Sequence, residues 1–474
     1  MAGMPTGHRR VALLLALLLA PLASLASAAQ PTPDAADHRV RVDAFFAALA
    51  SGRPDTFEAM AREHFTPASL ARRTSEERAE LVRRLREDFG TMTLEAVRPT
   101  GSGVELEISG STGMRGLGAL DFEPGGSRRI DRFGIRVEAG RGEEGPALPP
   151  PPVARDSSDA DFDAALTAYL AARASAGEFS GAVLVARAGR ATVARAVGDA
   201  DRATHVANTP ATRFNIGSIN KSFTQMAVAQ LMAAGRLAPM DTIGTLLPDY
   251  PNADARSATI QHLLDHRGGI ADIFGPAFAA TPTATLRANA DYYRLVAPQP
   301  LTFAPGTNRA YCNGCYVVLG EIIARVTGQS YESYIAEHIF APARMSRTTF
   351  VLPDASPGDM AYGYTTRGGS DPTPRRNSDM VGAGGSAAGG AWSTVADLLA
   401  YVEALRTHRL LGREPSLRLL GAAGTADRLT LAGGAPGLNA VIHASGDIVV
   451  VVLANLDPPH AERLGDALAR QLTR

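Results

Sequence analysis

The run DIVVVVLANL, residues 447–456, is bounded by Asp and Asn and rich in β-branched residues, which predicts a fully buried strand. Two further strand-like runs, DRLTLAGG (427–434) and LNAVIHASG (438–446), precede it. Two more, GAVLVARAG (181–189) and RATVARAVG (190–198), stand far earlier, and the chain between reads as mostly helical. A strand buried on both faces cannot stand alone, so the two ends must pair across the helical middle in one antiparallel sheet. Terminal helices, DADFDAALTAYLAARASAG (159–177) and one from about His460, would back it. The fold class is therefore α/β: an antiparallel sheet flanked by terminal helices, with a mostly helical insertion.

The proline run GPALPPPPVARD (145–156) has the composition of a stiff, extended spacer. It divides the chain into a domain at 29–144, a linker at 145–158 and a domain at 159–474. The first domain opens with helical patterns, such as SLARRTSEERAELVRRLREDF, and ends in alternating runs, such as VELEISG and IDRFGIRVEAG. That order predicts a small α+β unit without a chemical motif. Its layout is similar to the cystatin-like and NTF2-like accessory domains, which implies a structural module or one that docks an unknown partner.

The first thirty residues, MAGMPTGHRRVALLLALLLAPLASLASAAQ, combine a basic start, a short apolar run and a small-residue Ala26-Ser27-Ala28 site. This pattern predicts a signal peptide at 1–28 and a soluble, exported chain, periplasmic or secreted, by Sec or twin-arginine export. The apolar run is shorter than the ~20 residues a membrane span needs. A net charge of −1 gives no electrostatic reason to expect nucleic acid or a polyanion as partner.

Lys221 is the only lysine among 47 basic residues and lies in RFNIGSINKSF. Arginine can replace lysine wherever a long cation suffices, but its guanidinium stays protonated, whereas a desolvated ammonium can lose its proton and act as a base. Ser218 lies three residues earlier, and the following SFTQMAVAQLMAAGRL has helical spacing, so the two side chains share one face of a first helical turn. A serine hydroxyl needs a neighbouring base to become a nucleophile, and lysine can supply one. Neutrality near pH 7 requires the lysine pKa to fall about three units from ~10.4, at a cost of roughly 4 kcal/mol. The Gly-x-Ser-x-Gly elbow does not fit, because Ile216 and Asn220 occupy its glycine positions.

These residues resemble the serine β-lactamase and penicillin-binding-protein superfamily, in particular its class C-like branch with related esterases and D-amino-acid peptidases. The resemblance spans about 160–474. It is carried by FNIGSINKSFT, DTIGTLLPDYPNADARSATIQHLLDHRGGI, FAPGTNRAYCNGCYVVLGEIIARVTGQSYESYI and GGAWSTVADLLAYVEAL. It implies that Ser218 is acylated, that Lys221 is its base and that Tyr311 of Tyr311-Cys312-Asn313 relays a proton while Asn313 holds the acyl chain. A tyrosine beside a cationic lysine is expected to have its anion favoured. Tyr250-Pro251-Asn252 matches no motif position and reads as a loop.

The superfamily's third motif falls on Leu431-Ala432-Gly433, where a lysine or histidine usually stands first. The resemblance makes Leu431 and Gly433 substrate-binding positions, and the apolar Leu431 argues against substrates anchored by a carboxylate. The backbone N–H groups of Ser218 and Gly434 form the implied oxyanion hole.

Cys312 and Cys315 fit either a local disulfide or two buried thiols, and without a second ligand cluster neither zinc nor any other metal or cofactor is expected. His262 and His266 read as structural residues holding a turn, Trp392 as packing under the glycine-rich VGAGGSAAGGAWS (381–393), that segment as a flexible loop, and His443 as a strand residue without a catalytic role. The expected function is an exported serine hydrolase, esterase-like on small acyl substrates. β-Lactamase or D-amino-acid peptidase activity is the second reading, and a non-catalytic sensor or binding module the third. The expected partner is a small ester, amide or D-amino-acid peptide.

Overall fold

The computed structural model describes residues 33–472 except 101–102, 112–114, 124–128, 139–147, 150, 351–358, 368–372 and 413–427. The expected signal peptide lies outside the described residues.

In the first domain, helices Pro33–Ala50, Pro54–His64 and Ser75–Phe89 precede four strands, Met92–Pro99, Gly103–Gly110, Arg115–Phe122 and Ile130–Glu138, paired in sequence order as one antiparallel sheet. The third helix starts at a capping box: Thr74 accepts from the Glu77 N–H, and the Glu77 carboxylate takes the Thr74 N–H. Phe45, Phe57 and Phe65 are fully buried and pack with the ring of Phe133 on the sheet. The helix-then-strand order read from the sequence is therefore the observed one.

The second domain carries a five-stranded antiparallel sheet in which Ile448–Ala454 pairs with Gly181–Arg187 from the other end of the domain. Arg190–Val197 closes one edge, while Leu438–Ser445 and Arg428–Ala435 extend the other. Alternation along the central strands splits the core. Val183, Val185, Val450 and Val452 face helices Asp159–Ser175 and His460–Leu472 through Phe162, Leu166, Leu464 and Leu468. Ala182, Leu184, Val449, Val451 and Leu453 face the helical middle, including Phe223, Val317 and Leu398. Burial on both faces explains why these strands read as continuous apolar runs.

The proline run behaves differently from the free spacer its composition suggests. Val153 is buried in the outer core, the Tyr169 hydroxyl donates to the Pro149 carbonyl at 2.8 Å, and Arg155 pairs with Asp447 at 2.8 Å. The described part of the linker therefore lies on the second domain. No described helix is long and apolar enough to cross a membrane.

Candidate active site

Ser218 sits in a 3-10 turn, Gly217–Asn220, that leads into helix Lys221–Ala233. Gly217 adopts φ +51°, a left-handed conformation that favours glycine, and its N–H donates to the Asn215 side chain at 3.0 Å. A methyl group on Gly217 would stand 2.8 Å from the Gly434 amide nitrogen, and one on Gly433 would stand 2.8 Å from that of Ser218. Strand 428–435 is thus pressed against the serine turn, with the backbone of Gly433 and Gly434 beside that of Gly217 and Ser218. Gly433 is buried at the contact, whereas Gly434 borders the cleft.

Lys221 is 6 % exposed. Its Nζ donates to Ser218 Oγ at 3.1 Å, to Asn313 Oδ1 at 2.8 Å and to the Ala388 carbonyl at 2.5 Å. Loss of hydration pushes its pKa down to about 7, against an upward pull from the Asp272 carboxylate. This lysine is therefore poised between its two charge states near neutrality.

The Tyr311 hydroxyl lies 2.7 Å from Ser218 Oγ, and Lys221 Nζ sits 4.8 Å from the Tyr311 ring centre. Its pKa is raised, first by desolvation, with Ser218 opposing and Asp272 adding to the rise. The expected favouring of its anion is not seen, because loss of hydration at the hydroxyl is the largest effect and acts the other way. As a whole residue Tyr311 is 51 % exposed, while its hydroxyl is hydrogen-bonded to Ser218 Oγ.

His266, at φ +59°, stacks on Tyr311 with ring centres 4.9 Å apart, and its Nδ1 accepts the Cys312 N–H at 3.1 Å. Burial, Lys221 and Arg309 lower its pKa to about 4, so it is neutral at pH 7. The structural role read for it holds the very turn that carries Tyr311. His262 caps its own short helix through Thr259. Cys312 and Cys315 form a disulfide around Asn313, which opens helix Asn313–Thr327.

The glycine-rich segment is a packed wall rather than a flexible loop. Ala387, Ala388 and Ala391 are buried, Ser386 and Gly389 exchange backbone hydrogen bonds, and a methyl on Gly384 would meet the Arg287 carbonyl at 2.0 Å. Its glycines admit close backbone neighbours, which is what places the Ala388 carbonyl on Lys221. With Ser218, Tyr311, Asn313 and Gly434, this wall and Ile273, Phe274, Phe278 and Tyr292 enclose a cleft of about 670 Å³ counting its open mouth.

Several positions named from the sequence lie elsewhere. Leu431 packs against the main core and does not line the cleft. Trp392 is buried in a two-residue ladder opposite Asn215, Tyr250 is buried, Asn252 donates to the Gln299 carbonyl, and His443 on its strand faces Asp466 at 2.9 Å. Sequence reasoning missed Asp272, which the Asn313 amide contacts at 3.1 and 3.3 Å, and the Ala388 carbonyl. Neither carried a spacing signal. Among the described residues, no cluster of three His, Cys, Asp or Glu could hold a metal ion.

A sheet that joins the two ends of the domain, with a serine in the turn that leads into a helix and a buried lysine at that helix's start, defines the Ser-x-x-Lys arrangement. The chain belongs to the beta-lactamase family, whose model matches residues 162–474. It is 31% identical over 192 residues to penicillin-binding protein 4* of Bacillus subtilis, covering 40% of this chain and 42% of that one. It is 33% identical over 187 residues to the D-aminopeptidase of Brucella ovis, covering 39% and 35%. The chain thus spans less than half the length of these curated relatives. Among solved structures, the penicillin binding protein from Bacillus halodurans superposes with a TM-score of 0.57 at 26% identity, over 64% of this chain and 98% of that one.

Proposed function

We propose that this chain is an exported serine hydrolase that forms an acyl-enzyme on Ser218 and acts, esterase-like, on small acyl substrates. In that reaction neutral Lys221 takes the Ser218 proton while Oγ bonds the substrate carbonyl carbon, and the oxyanion faces the Ser218 and Gly434 N–H groups. The bond to the leaving group then breaks, the Tyr311 hydroxyl gives that group its proton, and Lys221 returns a proton to Tyr311. Water attacks the acyl-enzyme with the same groups acting in reverse, which frees the acid and restores Ser218.

The reading rests above all on one observation: the chain's sole lysine is buried, titrates near 7 and donates to Ser218 at 3.1 Å. Penicillin or peptide C-terminal substrates are the second reading, disfavoured because no cationic side chain is among the described residues lining the cleft. The first domain is proposed to dock a partner.

The test is a rapid-mixing time course of the chain from about Ala29 with p-nitrophenyl butyrate, beside its Ser218→Ala variant. A burst of nitrophenolate near one equivalent, followed by slower turnover and absent from the variant, supports the acyl-enzyme. Equal rates from both proteins would remove Ser218 from the reaction, and silence with both this ester and penicillins would favour a binding module.

A further inference from the structure

Lys221 Nζ has three polar neighbours: Asn313 Oδ1 at 2.8 Å, the Ala388 carbonyl at 2.5 Å and Ser218 Oγ at 3.1 Å. A neutral amine has two N–H bonds and one lone pair to share among them. The two carbonyl oxygens can only accept, so they take the N–H bonds, and the lone pair is left for the hydroxyl. Ser218 Oγ already accepts from the Tyr311 hydroxyl at 2.7 Å, so its own proton is free to point at that lone pair. The base is aimed before a substrate arrives.

This aim depends on which way round the Asn313 amide stands. A carboxamide turns over by a half-rotation with little change of shape, and the reversed amide would present its NH2 group to Lys221, where it competes with Ser218 for the lone pair. The Cys312–Cys315 disulfide and the start of helix Asn313–Thr327 hold the backbone, not this torsion. Asp272 holds it. The two carboxylate oxygens accept from Asn313 Nδ2 at 3.3 and 3.1 Å, and Oδ1 also accepts the Phe274 N–H at 3.0 Å. An ionised carboxylate has no proton to give, so only the orientation with nitrogen toward Asp272 and oxygen toward Lys221 satisfies both ends of the amide.

We propose that Asp272 is a positioning residue for the reaction: acting through Asn313, it keeps the amide oxygen on Lys221 and thereby aims the lone pair of the neutral amine at Ser218. The inference rests on the acyl-enzyme reading above and deepens it. Asp272 is not among the residues lining the cleft, so it acts from behind Asn313 and not on the substrate. Its charge has a further effect, since it favours the ammonium against the burial that lowers the Lys221 pKa to about 7. The other titratable groups facing Lys221 are His266, Tyr311 and Tyr316. They are neutral between pH 6 and 9, because the His266 pKa is lowered to about 4 and burial raises those of both tyrosines.

Asp272→Asn tests this with almost no change of shape. The new side-chain oxygen can keep the Phe274 N–H, which turns the new NH2 group toward Asn313 and favours the reversed amide. Two readouts are taken on the wild type and the variant. One is kcat/KM for p-nitrophenyl butyrate between pH 5 and 9, with Ser218→Ala as the blank. The other is an NMR titration of protein labelled with 13C at lysine Cε, in which the chain's only lysine gives a single side-chain signal. The rate above the acidic limb should fall by about tenfold or more in the variant, the worth of one hydrogen bond to a charged group. The titration midpoint should move from about 7 to a lower pH, and the limb with it, because the ammonium loses both a facing charge and an acceptor.

The two readouts separate this role from a merely structural one. If Asp272 serves only to cap the turn at Phe274, the variant keeps that cap, and rate and titration both stay at their wild-type values, which overturns the inference. A slower variant with an unmoved titration overturns it too, since Asp272 would then act without passing through Lys221. In both cases the acyl-enzyme reading stands. A wild type without Ser218-dependent turnover overturns that reading, and the positioning role falls with it.

Discussion

The side-chain nitrogen of Lys221 lies 3.1 Å from Ser218 Oγ, and the space behind it is filled by the Ala388 carbonyl and the Asn313 side chain. All three partners accept a hydrogen bond from the ammonium, yet burial outweighs them and holds the pKa near 7. The base is the neutral form, so activity should fall as pH drops through about 7 and level off above it. The measurement is kcat/KM for a neutral ester between pH 5 and 9. A profile without an acidic limb near 7 would mean that Lys221 is not the group that deprotonates Ser218.

Gly433 makes a second expectation concrete. A methyl group there would stand 2.1 Å from the Ile216 carbonyl and 2.8 Å from the Ser218 nitrogen, and both are backbone atoms that cannot rotate away. Gly433→Ala should therefore push strand 428–435 off the serine turn, separating the two amides proposed to hold the oxyanion. Overpacking of this kind costs about 1–3 kcal/mol, and losing one oxyanion donor slows acylation by about 10²–10³-fold. Thermal midpoint and burst rate should both drop. A variant with a wild-type burst rate would show that the Gly434 amide is not needed.

The residues legible in the sequence were those whose chemistry is unusual at short range. Ser218 and Lys221 are three positions apart, and the lysine has no competitor in the chain, so spacing and residue type sufficed. The sheet was legible because Val449–Val452 can be buried on both faces only if the two ends of the second domain pair. Asp272 was not, since it meets Asn313 across 41 positions and an aspartate in a loop has no signature of its own. The Ala388 carbonyl was invisible for a different reason: a main-chain acceptor leaves no mark on side-chain identity. The glycine-rich segment misled because glycine serves both a mobile loop and a closely packed one, and only the neighbouring backbones decide. The C-x-x-C spacing likewise allowed thiols or a bridge, and the structure has the bridge.

The cost of keeping Lys221 buried gives a prediction about stability that is independent of turnover. Its folded pKa, about 7, lies below the ~10.4 of an unfolded lysine, so between these values the unfolded chain binds the extra proton. The sign follows: the penalty is fully present below about pH 7 and is lifted as pH rises toward ~10.4, so the wild type gains stability with pH at up to roughly 1.4 kcal/mol per unit. Lys221→Met removes the titrating group but leaves the Ala388 and Asn313 oxygens without their donor, so the direction of its absolute stability change is set by two opposed effects. The pH dependence is not so confounded. Urea unfolding of both proteins at pH 7 and pH 9 should find the wild type gaining roughly 2 kcal/mol on the variant over that interval. Curves that shift in parallel would mean that Lys221 keeps an ordinary lysine pKa in the folded protein, and the base proposed for Ser218 would then be protonated throughout the neutral range.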